Sequence, residues 1–157
     1  MAELNPGDKA PDFDLPTDGA SRISLAGLKG QAVALYFYPK DDTSGCTSEG
    51  KAFTALDYAF KAANAVVVGV SKDTPSSHDK FKAKHDLNVR LASDESGEMI
   101  ERYGVWVEKN MYGRKYMGIE RATFLIGADG HVKQVWRKVK VPGHAETVLA
   151  AVKALTA

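Results

Sequence analysis

Three short apolar runs fix most of what this chain can become. Residues 32–38 (Ala32-Val33-Ala34-Leu35-Tyr36-Phe37-Tyr38), 65–70 (Ala65-Val66-Val67-Val68-Gly69-Val70) and 122–126 (Ala122-Thr123-Phe124-Leu125-Ile126) are rich in β-branched and aromatic residues. Each is too short for a buried helix and is bounded by turn residues, so each reads as a buried strand. Helical patterns fill the gaps. After Pro39 and a polar loop, Thr43 or Ser44 caps a helix along which Phe53, Leu56 and Phe60 recur at helical spacing. Residues 76–86 form a second helix with Lys80, Lys82 and Lys84 mostly outward, and residues 89–92 a short extended piece. Residues 95–103 make a short helix, and Val148, Ala151, Val152 and Leu155 share one face of a final one. Asp18-Gly19 predicts a small N-terminal hairpin, and Ala128-Asp129-Gly130 a second one leading to Trp136.

This order predicts an α/β protein with a central mixed sheet flanked by helices: a thioredoxin-like core with an N-terminal hairpin extension. At 157 residues and 44% apolar composition, one domain over residues 1–157 is expected. The charge is balanced, 21 basic residues against 20 acidic, which argues against nucleic acid or an anionic membrane and for a small-molecule substrate. The N-terminus has neither a basic start nor an apolar core, and no stretch approaches a membrane span, so a cytoplasmic protein is expected.

The chain has one cysteine, Cys46, which excludes an internal disulfide. It falls in the first turn of the helix after residues 32–38, where free backbone N–H groups and the helix dipole favour the thiolate. The bland reading is a buried cysteine acting as a small hydrophobe. The polar, glycine-containing segment around it favours a reactive thiol.

The segment Pro39-Lys40-Asp41-Asp42-Thr43-Ser44-Gly45-Cys46 resembles the peroxiredoxin pattern Pro-x-x-x-Thr/Ser-x-x-Cys. Residues 118–126 look like the strand bearing that family's active-site arginine, here Arg121, and Tyr36-Phe37-Tyr38-Pro39-Lys40 is similar to the peroxiredoxin Q (bacterioferritin comigratory protein) branch. The resemblance extends to Asn5-Pro6-Gly7-Asp8-Lys9-Ala10-Pro11-Asp12-Phe13 at the front. It implies a thioredoxin-like fold, thiol-dependent reduction of hydrogen peroxide and organic hydroperoxides, and Cys46 as the peroxidatic cysteine. No cofactor is implied.

Physical roles follow for the remaining residues. Arg121 supplies a permanent cation with a fork of donors for the thiolate and the peroxide. The Thr43 hydroxyl can turn toward the sulfur and a peroxide oxygen. Pro39 shapes the loop and shields the thiolate from water. Glu49, one turn after Cys46, is either an orienting partner for Arg121 through a bidentate pair or an ordinary surface carboxylate.

One departure from the resemblance matters. Where similar sequences carry a resolving cysteine, this chain has Lys51 and, near the second position, Lys82. A sulfenic acid on Cys46 then needs an external thiol: a small thiol such as glutathione, a thioredoxin, a glutaredoxin, or Cys46 of another subunit. A monomer or weak homodimer is expected. Four histidines, at 78, 85, 131 and 144, lack metal-ligand spacing, so no metal site is expected. The run Arg137-Lys138-Val139-Lys140 reads as a solvated strand end, and Trp106, Trp136 and residues 112–116 as a mobile lip near the loop before Arg121. The competing classes are a thioredoxin-fold interaction module with an inert cysteine, a dithiol oxidoreductase, which the missing Cys-x-x-Cys counts against, and a Cys-His hydrolase using His131 or His144.

Overall fold

Asp18-Gly19 does turn the chain between two strands, β1 (Asp14–Thr17) and β2 (Ser21–Ser24), with Leu15 opposite Ile23. The structure, a computed structural model, describes residues 4–156; residues 1–3 and 157 of the domain expected over 1–157 lie outside the described residues. Next come β3 (Ala32–Phe37), α1 (Ser44–Ala55), α2 (Asp57–Ala62), β4 (Ala65–Ser71), α3 (Pro75–His85), β5 (Arg90–Ser93) and α4 (Glu98–Arg102). The chain finishes with β6 (Trp106–Met111), β7 (Arg114–Ile119), β8 (Ala122–Ile126), β9 (Val132–Trp136) and α5 (His144–Thr156).

Seven strands form one mixed sheet in the order β2-β1-β5-β4-β3-β8-β9. At its centre β3 runs parallel to β4 and antiparallel to β8. Every residue of β3 and β8 is buried, as their unbroken apolar sequences require. Alternation along β3 sends Val33, Leu35 and Phe37 into one core and Ala34, Tyr36 and Tyr38 into another. The first core is closed by Met99, Ile100 and Tyr103 from around α4, together with Phe13, Ile23, Leu25 and Leu28. The second carries Phe53, Phe60, Phe81 and Val148 from α1, α2, α3 and α5, so the helices cover the two faces unequally. This is the thioredoxin fold expected from the strand and helix order.

A close approach ties this second core to α1. Gly69 lies opposite Tyr36 in the β3–β4 register, and a Cβ there would stand 2.7 Å from Tyr36 Cζ and 2.9 Å from Leu91 Cδ2. The space that glycine leaves is filled by the Tyr36 ring, which stacks on Phe53 of α1 with ring centroids 4.7 Å apart.

The structure corrects several local expectations. The helix after Cys46 is two helices, broken at Leu56 (φ −102°, ψ 3°), although Phe53 and Phe60 still reach the same core. The segment expected as a lip is the antiparallel pair β6–β7, with Met111 opposite Arg114. Tyr112 (φ 52°) and Gly113 (φ 78°) supply the two left-handed residues that a tight hairpin turn needs. Trp106 opens this hairpin as the first residue of β6 and packs against the first core, but Trp136 lies elsewhere, edge-on to His144 at 5.7 Å. Arg137 is not part of a solvated edge: half-buried, it faces Glu120 at 3.5 Å and donates to the Gly104 carbonyl at 3.2 Å. Lys82 is likewise turned in, bonded to Asp18 at 2.8 Å.

Candidate active site

The loop from β3 to α1 is fastened from beneath. Tyr38, the residue after β3, donates to Asp41 Oδ1 at 2.5 Å, and Ser77 Oγ donates to Asp41 Oδ2 at 2.8 Å. His78, fully buried on α3, places Nδ1 2.7 Å from Asp41 Oδ2 and Nε2 3.1 Å from the Ala92 carbonyl. Both ring nitrogens thus face oxygen acceptors, and the imidazole and carboxylate form a buried pair (0% and 4% exposed). The Asp41 N–H donates to Asp73 Oδ2 at 2.9 Å, which also accepts from Ser71 Oγ at 2.7 Å. Next to it, Asp42 takes a left-handed conformation (φ 62°) and meets Lys84 and His85, each at 2.7 Å. Sequence reasoning missed this network, having weighed His78 only as a metal ligand.

The loop delivers Thr43 as the N-cap of α1, its backbone extended (φ −87°, ψ 157°). Its hydroxyl makes no cap bond; it donates to the Lys40 carbonyl at 2.9 Å, tightening the loop rather than pointing a proton at the sulfur. Cys46 occupies the first turn of α1, where backbone N–H groups have no partner in the helix. It is 2% exposed and sits in the second core with Tyr36, Tyr38 and Phe53.

Arg121 reaches this sulfur from the short link between β7 and β8, whose backbone is held by Val139 N–H to the Arg121 carbonyl at 3.0 Å. Its Nη2 donates to Cys46 Sγ at 3.3 Å and its Nη1 to Glu49 Oε1 at 2.6 Å. One guanidinium therefore spans the sulfur and a carboxylate, a single contact to each. The bidentate Glu49 pair is not made: Glu49 Oε2 is buried without a hydrogen-bond partner. Nor is Glu49 a surface carboxylate, being 2% exposed. Burial pushes its carboxyl up to about 7 against the pull of Arg121. Although burial opposes the guanidinium charge as well, Glu49 and Cys46 raise the Arg121 pKa above its ordinary value. Space is tight here, since a Cβ on Gly45 would lie 3.1 Å from Arg121 Nη2.

The structure thus brings Cys46, Glu49 and Arg121 together and bonds Thr43 to the loop beside them. Pro39 stands exposed at the rim of an adjoining groove of about 320 Å³ that also takes in Lys40, Trp106, Lys109 and Tyr116. Neither histidine proposed for a hydrolase serves Cys46. His144 Nε2 pairs with Thr123 Oγ1 at 2.7 Å, and burial followed by the Arg121 charge lowers its pKa; His131 lies 3.7 Å from Asp129 at the surface. Among the described residues no helix is long and apolar enough to cross a membrane.

A thioredoxin fold with an arginine laid on a helix-terminal cysteine is the architecture of a thiol peroxidase, and comparison with known sequences agrees. The chain belongs to the AhpC/TSA family, whose profile matches residues 6–135. Within it, the relatives are peroxiredoxins of the Q, or bacterioferritin comigratory protein, branch. Peroxiredoxin Bcp of Xanthomonas campestris is 48% identical over 147 residues, 92% of each chain. That of Bacillus subtilis is 44% identical over 147 residues, 94% of each. A cysteine-to-serine mutant of Xylella fastidiosa PrxQ superposes with a TM-score of 0.94 at 40% identity over 100% of both chains. The bacterioferritin comigratory protein of Xanthomonas campestris, solved in trapped intermediate and ligand complexes that bear on its alkyl peroxide reduction, gives 0.88 at 46% identity over 92% of each. The enzyme is accordingly a peroxiredoxin, reducing peroxides at the expense of thiols.

Proposed function

We propose that the chain works as a single-domain, one-cysteine peroxidase of the cytoplasm, acting on hydrogen peroxide and organic hydroperoxides in antioxidant defence. The observation that carries this reading is the Arg121 fork, with one arm on Cys46 Sγ at 3.3 Å and the other on Glu49 at 2.6 Å. The Cys46 thiolate attacks the terminal peroxide oxygen; the O–O bond breaks, the alkoxide or hydroxide leaves and takes a proton, and Cys46 becomes a sulfenic acid. Arg121 and the N–H groups at the start of α1 stabilise charge on sulfur and on the departing oxygen. Thr43, its own proton committed to Lys40, accepts a hydrogen bond from the hydroperoxide O–H. Glu49 holds Arg121 in place, and Pro39 forms the rim over which peroxide enters.

With no second cysteine in the sequence, the sulfenic acid is resolved from outside. A thiol condenses with it to a mixed disulfide and water; a second thiol frees Cys46 and leaves as a disulfide. The donor is a small thiol such as glutathione, a thioredoxin or a glutaredoxin, and the protein works as a monomer or weak homodimer. The test is to treat reduced protein with one equivalent of hydrogen peroxide and follow intact mass. A gain of one oxygen, trapped by a sulfenic-acid reagent and absent in Cys46→Ser, is expected. Rapid conversion to a disulfide-linked dimer would assign resolution to a second copy, and an inert thiol would return the protein to the class of interaction modules.

A further inference from the structure

Along the catalytic loop lies a groove whose charge the peroxide chemistry does not use. It is walled by Pro39 and Lys40 of the catalytic loop, by Trp106 and Lys109 of β6, and by Tyr116, Met117 and Ile119 of β7, with Lys72 at its edge. Three lysines and no carboxylate line it. Two of the three are held in place. Lys72 Nζ stands 4.7 Å from the centre of the Trp106 ring. The half-buried Lys109 stem crosses Gly118, where a Cβ would lie 3.2 Å from its Cδ, and among the described residues its ammonium makes no hydrogen bond or ion pair. Of the neighbouring carboxylates, Glu108 lies 3.8 Å from Lys115 and Glu120 3.5 Å from Arg137. Burial first, and then the Arg121 charge, lower the Lys109 pKa, while Cys46 and Glu120 oppose them, which places Lys109 within electrostatic reach of the site.

We infer that this groove is the binding site of the reducing thiol, and that the thiol is a small molecule bearing carboxylates, seated with a carboxylate on Lys109. The inference rests on the one-cysteine reading above. A cysteine that is 2% exposed within a packed core favours a donor small enough to lie in a groove of about 320 Å³ at the catalytic loop over the docked sulfur of a whole protein. With three lysines and no carboxylate among its lining residues, the groove is positive, which favours an anionic donor and concentrates it beside the catalytic loop. The bound thiol forms a disulfide bond to Cys46 Sγ as the sulfenic S–O bond breaks and water leaves; a second molecule then releases Cys46 and departs as the symmetrical disulfide.

The test separates the two half-reactions. Oxidation of Cys46 by one equivalent of hydrogen peroxide is first confirmed by intact mass; if no sulfenic acid forms, the peroxidase reading itself fails. The sulfenic acid is then reduced by glutathione or by its diethyl ester, alike in thiol but differing in charge, and the rates are followed by rapid quench and mass. The expected result is a preference for glutathione of roughly twofold to fivefold, the scale of one partly exposed ion pair, weakening as salt rises. In Lys109→Met that preference collapses toward one, and in Lys109→Glu it inverts. Equal rates for the two thiols, or an unchanged preference in both variants, would overturn the inference. So would a charge preference found in the oxidation step, between carboxylate-bearing and neutral hydroperoxides, and missing from the reduction step.

Discussion

Glu49 gives Arg121 one oxygen, at 2.6 Å, and buries the other without a partner. Its carboxyl is raised from an ordinary 4.5 to about 7, chiefly by burial. A carboxyl whose folded pKa lies above its unfolded value favours the fold fully below the unfolded value, and that contribution is lost as pH rises through the folded one. Relative to Glu49→Gln, the wild type therefore loses stability between about pH 4.5 and about pH 7, by a total on the order of 1–3 kcal/mol. Urea unfolding of both proteins across that range checks it; a pH-independent difference would show that Glu49 stays ionised throughout.

Arg121→Ala removes the only side chain that hydrogen-bonds Cys46 among the described residues. Oxidation by hydrogen peroxide is expected to slow by roughly 10²–10³-fold, the cost of losing one preorganised donor at a site of developing charge. Alkylation of Cys46 by iodoacetamide at neutral pH is expected to slow as well. Stopped-flow oxidation and timed alkylation are the measurements, and wild-type behaviour in both would remove Arg121 from the mechanism.

Thr43→Val keeps the shape of the N-cap but breaks the bond to the Lys40 carbonyl. One hydrogen bond is worth about 0.5–1.5 kcal/mol, so the oxidation rate is expected to fall about threefold to tenfold. An unchanged second-order rate constant with peroxide would confine Thr43 to an architectural role.

Gly45→Ala sets a methyl group 3.1 Å from Arg121 Nη2. Because the neighbour is the end of a flexible side chain, the guanidinium gives way, and alanine suits a helix better than glycine by up to about 1 kcal/mol. Slower peroxide oxidation at equal or higher melting temperature is the expected pairing. Lost stability at full activity would mean that the backbone, not Arg121, absorbed the contact.

The strands at the centre of the sheet were legible because burial on both faces demands unbroken apolar runs, as in residues 32–37 and 122–126. The β6–β7 pair was not, since Glu108, Asn110 and residues 111–117 are exposed and show no apolar alternation to read. The break at Leu56 hid behind Phe53 and Phe60, which preserve the helical period across it. Within the site, Cys46, Thr43, Arg121 and Glu49 could be named from their motif or spacing. Asp41 and His78, 37 positions apart, could not, because each alone reads as an ordinary surface residue and only the packing of α3 on the loop makes them a pair. Lys109 is hidden for the same reason, since only the folded hairpin brings it into one groove with Lys40 and Lys72.

Gly69 touches nothing that reacts, yet it gauges the depth at which the catalytic helix rests. Tyr36 sinks into the space that glycine leaves, Phe53 lies flat on Tyr36, and Phe53 belongs to the helix that carries Cys46. Any larger residue at 69 must raise that stack, and α1 with it, while the Arg121 backbone stays anchored to Val139. The distance between sulfur and guanidinium is thus set in the floor of the molecule as well as at its mouth, so a survey of substitutions would score this interior glycine among the residues of the active site.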